Sequence, residues 1–145
     1  MRRVNVFSLE LVSAFDRDGY RWKRARVGDA LGAKRIGGTV YELPHGERTF
    51  PYHFHHGMEE WALVLDGTPK LRTPDGERTL RRGDVVCFAI GPEGAHQLAG
   101  PGRVLLLSAN REPEVLEYPD SGKVGARPPG VLFLAADAVD YWEGE

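Results

Sequence analysis

The stretch of sequence that decides the fold is Pro51-Tyr-His-Phe-His-His-Gly-Met-Glu-Glu-Trp-Ala-Leu-Val-Leu-Asp-Gly67. Successive side chains of an extended strand point to opposite faces, so His53 and His55 emerge on the same side, about 7 Å apart. A turn through Gly57 then returns a carboxylate, from Glu59 or Glu60, ahead of an apolar run that ends in a second turn. The stretch therefore predicts a β-hairpin that presents two imidazoles and a carboxylate to one cation.

A fourth candidate ligand lies downstream of this hairpin. Residues 82–91 predict a turn, a buried strand and another turn, and His96 begins the next strand. If both hairpins belong to one barrel, His96 faces His53 and His55 across the interior. The alternative is a metal-free barrel in which these histidines are satisfied polar residues. Three imidazoles and a carboxylate in one small interior are costly without partners, and a cation removes that cost.

These residues give the chain a resemblance to the cupin superfamily. The first motif of that family has Gly, His-x-His, Glu and Gly, matched here by Gly46, His53, His55, Glu60 and Gly67. The gap after Gly46 is six residues where the family has five, and the gap from Glu60 to Gly67 is the expected six. That second spacing makes Glu60, and not Glu59, the matching acid.

The second cupin motif is matched less closely. The family has Gly, Pro-x-Gly, His and Asn at these positions, and this chain has Gly83, Ala89, Gly91, His96 and Gly100. Four residues separate Gly91 from His96 where the family has two, which indicates a small insertion in the loop. His96 is still the only histidine near the matching position.

The resemblance, which extends to small single-domain bacterial cupins, implies both a fold and a cofactor. The expected fold is an all-β double-stranded β-helix, or jelly-roll barrel, with extra N- and C-terminal strands. Residues 1–145 would form one domain, with the barrel at about 35–111 and flanking segments at 1–34 and 112–145. One divalent metal ion, Zn, Mn, Fe, Ni, Co or Cu, would be held by His53, His55, Glu60 and His96.

The composition agrees with one ordinary globular domain. The chain has 145 residues, of which 41% are hydrophobic and 28% charged, and a net charge of −2, which gives no reason to expect nucleic acid or an anionic membrane. One cysteine excludes an internal disulfide and fits a reducing compartment, and neither a signal peptide nor a membrane span is evident. We therefore expect a cytoplasmic location. Trp61–Leu65 is apolar on both faces, so a homodimer is expected to be one way of covering the outer face.

The flanking segments yield further predictions. Residues 2–12 alternate in character and predict an edge strand, and residues 13–20 predict a loop. The basic and aromatic stretch 20–27 predicts a strand, interpreted as a solvated face with Trp22 packed inward; the alternative is a rim that attracts anions. Cys87 is expected to be buried. The prediction ends with a short strand at 115–118, a loop to Gly130 and a strand at 131–134. The acidic residues from Ala135 onward predict either one helical turn or a tail that docks Tyr141 and Trp142.

Three functions are compatible with such a site. The first is a metal-dependent enzyme, dioxygenase-like or isomerase-like, acting on a small molecule in the barrel, with Glu59 or Tyr52 assisting proton transfer. The second is a non-catalytic sensor that binds a small molecule, and the third is a barrel with a structural metal. Fold alone does not choose among them, because one fold hosts many activities.

Overall fold

A computed structural model describes residues 1–145 of the chain. It contains a single helical turn of α type, α1 (Val27–Leu31), and many short strands. The strands are β1 (Ser13–Phe15), β2 (Trp22–Arg26), β3 (Ile36–Leu43), β4 (Phe54–His55), β5 (Glu60–Gly67), β6 (Lys70–Thr73), β7 (Gly76–Thr79), β8 (Val85–Phe88), β9 (Gln97–Ala99), β10 (Gly102–Ala109), β11 (Glu114–Tyr118), β12 (Lys123–Arg127) and β13 (Val131–Leu134). This all-β architecture confirms the predicted fold class.

The strands form one large sheet and two smaller ones, and every pairing between them is antiparallel. The large sheet has the order β1-β2-β3-β10-β5-β8, so strands distant in sequence lie side by side. The second wall of the barrel consists of the sheets β13-β12-β11-β4 and β7-β6-β9. The flanking strands are therefore part of both walls: β2 extends the large sheet beside β3, and β11 pairs with β4.

The inner face of the large sheet follows from its register. Tyr41 of β3 lies opposite Val104 of β10, and Leu106 of β10 lies opposite Ala62 of β5. Because alternate residues of a strand share a face, these positions line the interior together. They belong to the larger hydrophobic core, with Trp22, Leu43, Val64, Leu71, Leu80, Phe88 and Leu98.

The N-terminal segment covers the outer face of the same sheet. The edge strand predicted for residues 2–12 is wrong, since this segment is irregular and turns at residues 6–8. The turn explains the error: the apolar positions shift from even to odd numbers, from Val4 and Val6 to Leu9 and Leu11. These four side chains pack against an outer cluster formed by Val27, Val40, Leu65 and Leu105. The first strand instead begins at Ser13, inside the predicted loop.

The prediction that Cys87 is buried is also wrong. Cys87 lies on β8, the last strand of the large sheet, and its side chain is exposed. It pairs with Trp61 of β5, which is also exposed. No other layer covers the outer face at this edge, so an apolar strand sequence there does not produce a buried strand.

At the C-terminus the structure confirms two strands and adds a third. The strands predicted at 115–118 and 131–134 correspond to β11 and β13. The predicted loop between them contains β12, which pairs with both. A helical turn of 3₁₀ type forms at Ala135–Asp137, as one of the two alternatives predicted, whereas Tyr141 and Trp142 are 84% and 72% exposed and do not dock. None of the helices in the structure has the length and apolar character that a membrane crossing requires.

Candidate metal centre

Three of the four side chains predicted as ligands, those of His53, Glu60 and His96, form one cluster inside the barrel. His53 precedes the short strand β4 and forms a bridge with His96, with backbone hydrogen bonds of 3.2 and 2.9 Å in the two directions. The ring centroids of His53 and His96 are consequently 4.7 Å apart. The ligand atoms of His53, Glu60 and His96 all lie within 4.8 Å of one another. His55 does not belong to this group, but its Nε2 lies 3.7 Å from Glu60 Oε2.

The hydrogen bonds of the three imidazoles fix which nitrogen carries the proton. Nδ1 of His53 contacts the carbonyl oxygen of Pro51 at 2.8 Å, and Nδ1 of His96 contacts that of Gly94 at 2.9 Å. A carbonyl oxygen only accepts hydrogen bonds, so each Nδ1 must be the donor. In a neutral imidazole the other nitrogen, Nε2, then carries a lone pair. Both rings therefore present an Nε2 lone pair for ligation.

His55 is held in the same tautomer by a carboxylate. Its Nδ1 lies 3.3 Å from Oε1 of Glu114 on β11, a side chain only 1% exposed. Its Nε2 is buried and has no hydrogen-bond partner. A buried polar atom without a partner is uncommon and indicates that something is bound there. A metal ion at Nε2, with the carboxylate behind Nδ1, is a usual arrangement for a histidine ligand.

Contacts around Glu60 add a second indication. Nε2 of His96 and Oε2 of Glu60 are 3.1 Å apart. With a neutral His96 ring both atoms carry lone pairs, and a cation bound by both would remove their repulsion; with a protonated ring, Nε2 donates a hydrogen bond to the carboxylate instead. Three imidazole nitrogens and one carboxylate oxygen are a suitable ligand set for a divalent transition metal. The residues present therefore fit the predicted ion.

The electrostatics of the site favour the protonation states that a metal requires. Burial, followed by the nearby His96 and His55, lowers the pKa of His53 to about 4. Burial raises the pKa of Glu60, but the contacts with His55 and His96 outweigh burial and bring this pKa down to about 2. At neutral pH, His53 is therefore neutral and Glu60 is ionised, and both can bind a cation without first losing a proton.

Glu114 is the residue of this site that the sequence does not reveal. It lies 59 positions after His55 in the chain, in a stretch predicted only to precede a strand. Its Oε1 also accepts a hydrogen bond from the backbone nitrogen of Gly57 at 3.3 Å. A Cβ atom at Gly57 would lie 2.6 Å from Glu114 Oε2, so a larger residue there would require this carboxylate to shift. The turn between His55 and Glu60 is thus shaped around Glu114.

Three of the metal-ligand candidates, His53, His55 and Glu60, line a cavity of about 630 Å³. Two tyrosines, Tyr41 and Tyr118, line it, and the ring of Tyr118 stacks on His53 with centroids 5.9 Å apart. Burial raises the pKa of both phenols, so both carry their protons at neutral pH. The basic side chains of the lining are Arg24, Arg26 and Arg127.

The residues predicted to assist proton transfer lie outside this cavity. Glu59 is exposed and accepts a hydrogen bond from Nε1 of Trp61 at 2.7 Å, so the acid at the site is Glu60, as the motif spacing predicts. Tyr52 lies under the guanidinium of Arg72, 4.0 Å from its ring centre, and does not line the cavity. The phenols that line the cavity are instead those of Tyr41 and Tyr118.

Residues 39–109 match the family model described as "Cupin domain". The chain belongs to the cupin superfamily. Among curated proteins, no sequence matches this cupin.

Solved structures extend the similarity to nearly the whole chain. A protein from Acidithiobacillus ferrooxidans, provisionally named a sugar phosphate isomerase, is 26% identical, with a TM-score of 0.78 over 84% of this chain and 81% of that chain. A sugar phosphate isomerase of the cupin superfamily from Silicibacter pomeroyi is 20% identical, with a TM-score of 0.81 over 94% of each chain. The polyketide cyclase RemF from Streptomyces resistomycificus is 24% identical, with a TM-score of 0.59 over 79% of this chain and 83% of that chain.

Proposed function

We propose that this cupin is a divalent-metal-dependent enzyme that isomerises a small hydroxycarbonyl or sugar-like molecule in the barrel cavity. One observation carries the proposal. Each of the three imidazoles has its Nδ1 committed to an oxygen acceptor, which leaves three Nε2 lone pairs beside one carboxylate. The 26% identical structure named as a sugar phosphate isomerase favours isomerisation over the dioxygenase-like alternative.

The proposed ligands are His53, His55, Glu60 and His96. A divalent ion bound there would act as a Lewis acid that polarises a carbonyl or hydroxyl oxygen of the substrate. With four protein ligands, an octahedral ion keeps two positions open for the substrate. Such open positions distinguish this proposal from a purely structural metal site, which closes its coordination sphere.

The chain itself supplies proton donors and a partly enclosed volume. The phenols of Tyr41 and Tyr118 stay protonated at neutral pH and can donate hydrogen bonds to oxygens of a bound molecule. The ring of His96 is held by Phe88, which stacks on it with centroids 3.7 Å apart and an interplanar angle of 7°. This stacking holds the His96 ring, and with it Nε2, in a fixed orientation at the site.

The test is turnover by metal-reconstituted protein on a panel of small hydroxyaldehydes, hydroxyketones and their phosphate esters, monitored by NMR for exchange of the hydrogen next to the carbonyl. We expect product formation that stops on chelation and returns when a divalent metal is added. Turnover that survives His55→Ala would refute the metal-dependent mechanism. Saturable binding without turnover across the panel would instead support the alternative function, a non-catalytic sensor of small molecules.

A further inference from the structure

Strand β2 directs basic side chains toward the interior of the barrel. Arg24 lies opposite Tyr41 of β3, and Arg26 lies opposite Thr39. Residues directly opposite on neighbouring strands share a face, and Tyr41 belongs to the inner core. The alternation that packs Trp22 inward therefore also turns Arg24 and Arg26 inward. The interpretation of this stretch as a solvated face with Trp22 packed inward holds for Arg26, whose side chain is 60% exposed, and is wrong for the partly buried Arg24.

Arg24 has no anionic partner in the protein. Its Nε is fully buried without a hydrogen-bond partner, and no carboxylate lies within 4.0 Å of its guanidinium. The guanidinium lies over the ring of Trp22, 5.0 Å from its centre, which holds it at the cavity wall. Arg26, by contrast, is 3.6 Å from Asp29. A partly buried arginine that lacks a counter-ion is costly, and an anionic ligand removes that cost.

Arg127 adds a positive charge from the opposite wall. It lies at the end of β12, opposite Glu114 of β11, and therefore on the face that also carries Leu116 and Tyr118. It lines the same cavity and forms no salt bridge in the structure. Of the two acidic residues of the lining, Asp29 pairs with Arg26 and Glu60 belongs to the candidate metal centre. Arg24 thus remains without a counter-ion at the cavity wall, and Arg127, which is exposed, adds an unpaired charge to the same cavity.

We propose that Arg24, assisted by Arg127, forms an anion-binding subsite of the cavity that holds a phosphate or carboxylate group of the substrate. The inference deepens the proposed function, because the anionic group would belong to the molecule that the candidate metal centre acts on. Tyr41 connects the two ends. Burial raises its pKa, Arg24 lowers it and Glu60 raises it, so the phenol lies within electrostatic reach of both groups. A molecule of a few carbon atoms fits a cavity of about 630 Å³.

The subsite can be tested without any substrate or metal. The probes are inorganic phosphate and acetate, each titrated into chelator-treated protein at constant ionic strength against chloride and followed by calorimetry and thermal melting. Chelation is necessary because a bound metal would itself attract both anions. We expect saturable binding of at least one probe, weakened about tenfold or more in Arg24→Gln, since a charge-assisted hydrogen bond contributes enough for that change. Binding of phosphate alone would indicate that the subsite holds a phosphate group, and binding of acetate alone would indicate a carboxylate group.

Lys23 provides the matched control. It lies on the same strand, next to Arg24 but on the opposite face, and it is exposed. Lys23→Gln removes the same charge and should leave anion binding unchanged within twofold. Equal losses of anion affinity in Arg24→Gln and Lys23→Gln would show that only the net charge of the protein matters, and would overturn the proposal. Failure of wild-type protein to bind either probe more tightly than chloride would also overturn it.

A second variant guards against a folding defect, because Arg24 packs on Trp22. Arg127→Gln lies on the other wall and should weaken binding of the same anion, and Arg24→Lys should restore part of it. Unchanged binding in Arg127→Gln would contradict the part assigned to that residue. If the anion binds as expected but no divalent metal binds the protein, the subsite stands and the metal-dependent function fails. If metal-dependent turnover occurs equally well on neutral substrates, the metal-dependent function stands and the anion-binding subsite fails.

Discussion

The carboxylate behind His55 offers the sharpest test of the metal centre. Replacing Glu114 by Gln keeps the size and shape of the side chain and removes its charge. In the structure Glu114 Oε1 lies 3.3 Å from both His55 Nδ1 and the backbone nitrogen of Gly57. An amide oxygen can still accept these two hydrogen bonds, so the variant changes the electrostatics of the site more than its geometry.

The expected magnitude follows from the charges in the site. Glu60 and Glu114 together match the two positive charges of a divalent ion, and the side chains of both are largely buried. In Glu114→Gln, a bound ion would leave one buried positive charge uncompensated, and His55 would be a weaker base. Loss of such a partner typically weakens metal binding 10- to 100-fold, or about 1.4–2.8 kcal/mol.

The assay is competition with a chromogenic chelator for Zn²⁺ or Mn²⁺ at pH 7, with circular dichroism to check folding. The matched control is Glu117→Gln on the same strand. Glu117 contacts Nε2 of His56 at 2.7 Å, which is the same pair of residue types, but the two side chains are 42% and 44% exposed. We expect the control to change affinity less than twofold. Equal affinities in wild type, Glu114→Gln and Glu117→Gln would refute the assignment of Glu114.

Four further predictions follow from the same geometry. His53→Ala/His55→Ala should reduce the metal content of gently purified protein at least fourfold by elemental analysis, and metal-free wild type would contradict the ligand set. Because the pKa of His53 is lowered from 6.5 to about 4, the unfolded chain of metal-free protein binds more protons between these pH values. Its stability should therefore fall by up to about 3 kcal/mol from pH 6.5 to pH 4, as measured by urea unfolding, and His53→Gln should flatten this dependence. Gly57→Ala should displace Glu114 and weaken metal binding as Glu114→Gln does, so unchanged affinity would show that the turn can move. The sequence prediction of a homodimer is tested by sedimentation: because Phe133 is 58% exposed on an edge strand, Phe133→Glu should shift a dimer toward monomer, and a monomeric wild type would end that prediction.

The proximity of the metal-ligand candidates follows in part from local rules. Strand alternation places His53 and His55 on one side, and motif spacing selects Glu60 over Glu59. The insertion before His96 does not carry that residue away, because residues 92–94 form a single 3₁₀ turn that absorbs the extra length. His96 then pairs directly with His53. Local rules therefore account for His53, His55 and Glu60, whereas the place of His96 depends on a pairing between distant segments.

The predictions that failed concern positions whose surroundings depend on how distant segments of the chain cover the sheets. Cys87 has the sequence context of a buried strand, but burial requires a second layer, and the edge at β8 has none. Residues 2–12 carry the apolar side chains of a strand but serve as that second layer elsewhere on the same sheet. Glu114 reaches His55 only because Leu116 of β11 pairs with His55 across the second wall. None of these relations is encoded within a few residues of the position concerned.

Arg24 shows how the two kinds of information combine. Alternation along β2 already requires that Trp22, Arg24 and Arg26 share a face, and a buried Trp22 fixes that face as the inner one. An arginine turned into a barrel without a carboxylate partner lowers stability unless a ligand compensates it, so its presence is better explained by binding than by folding. The candidate metal centre has the same property, since His55 Nε2 is also buried without a partner. One cavity is therefore lined by a buried nitrogen suited to a cation, His55 Nε2, and by a guanidinium suited to an anion, that of Arg24. A small molecule with an oxygen that binds the metal and an anionic group at its other end would bind at both places.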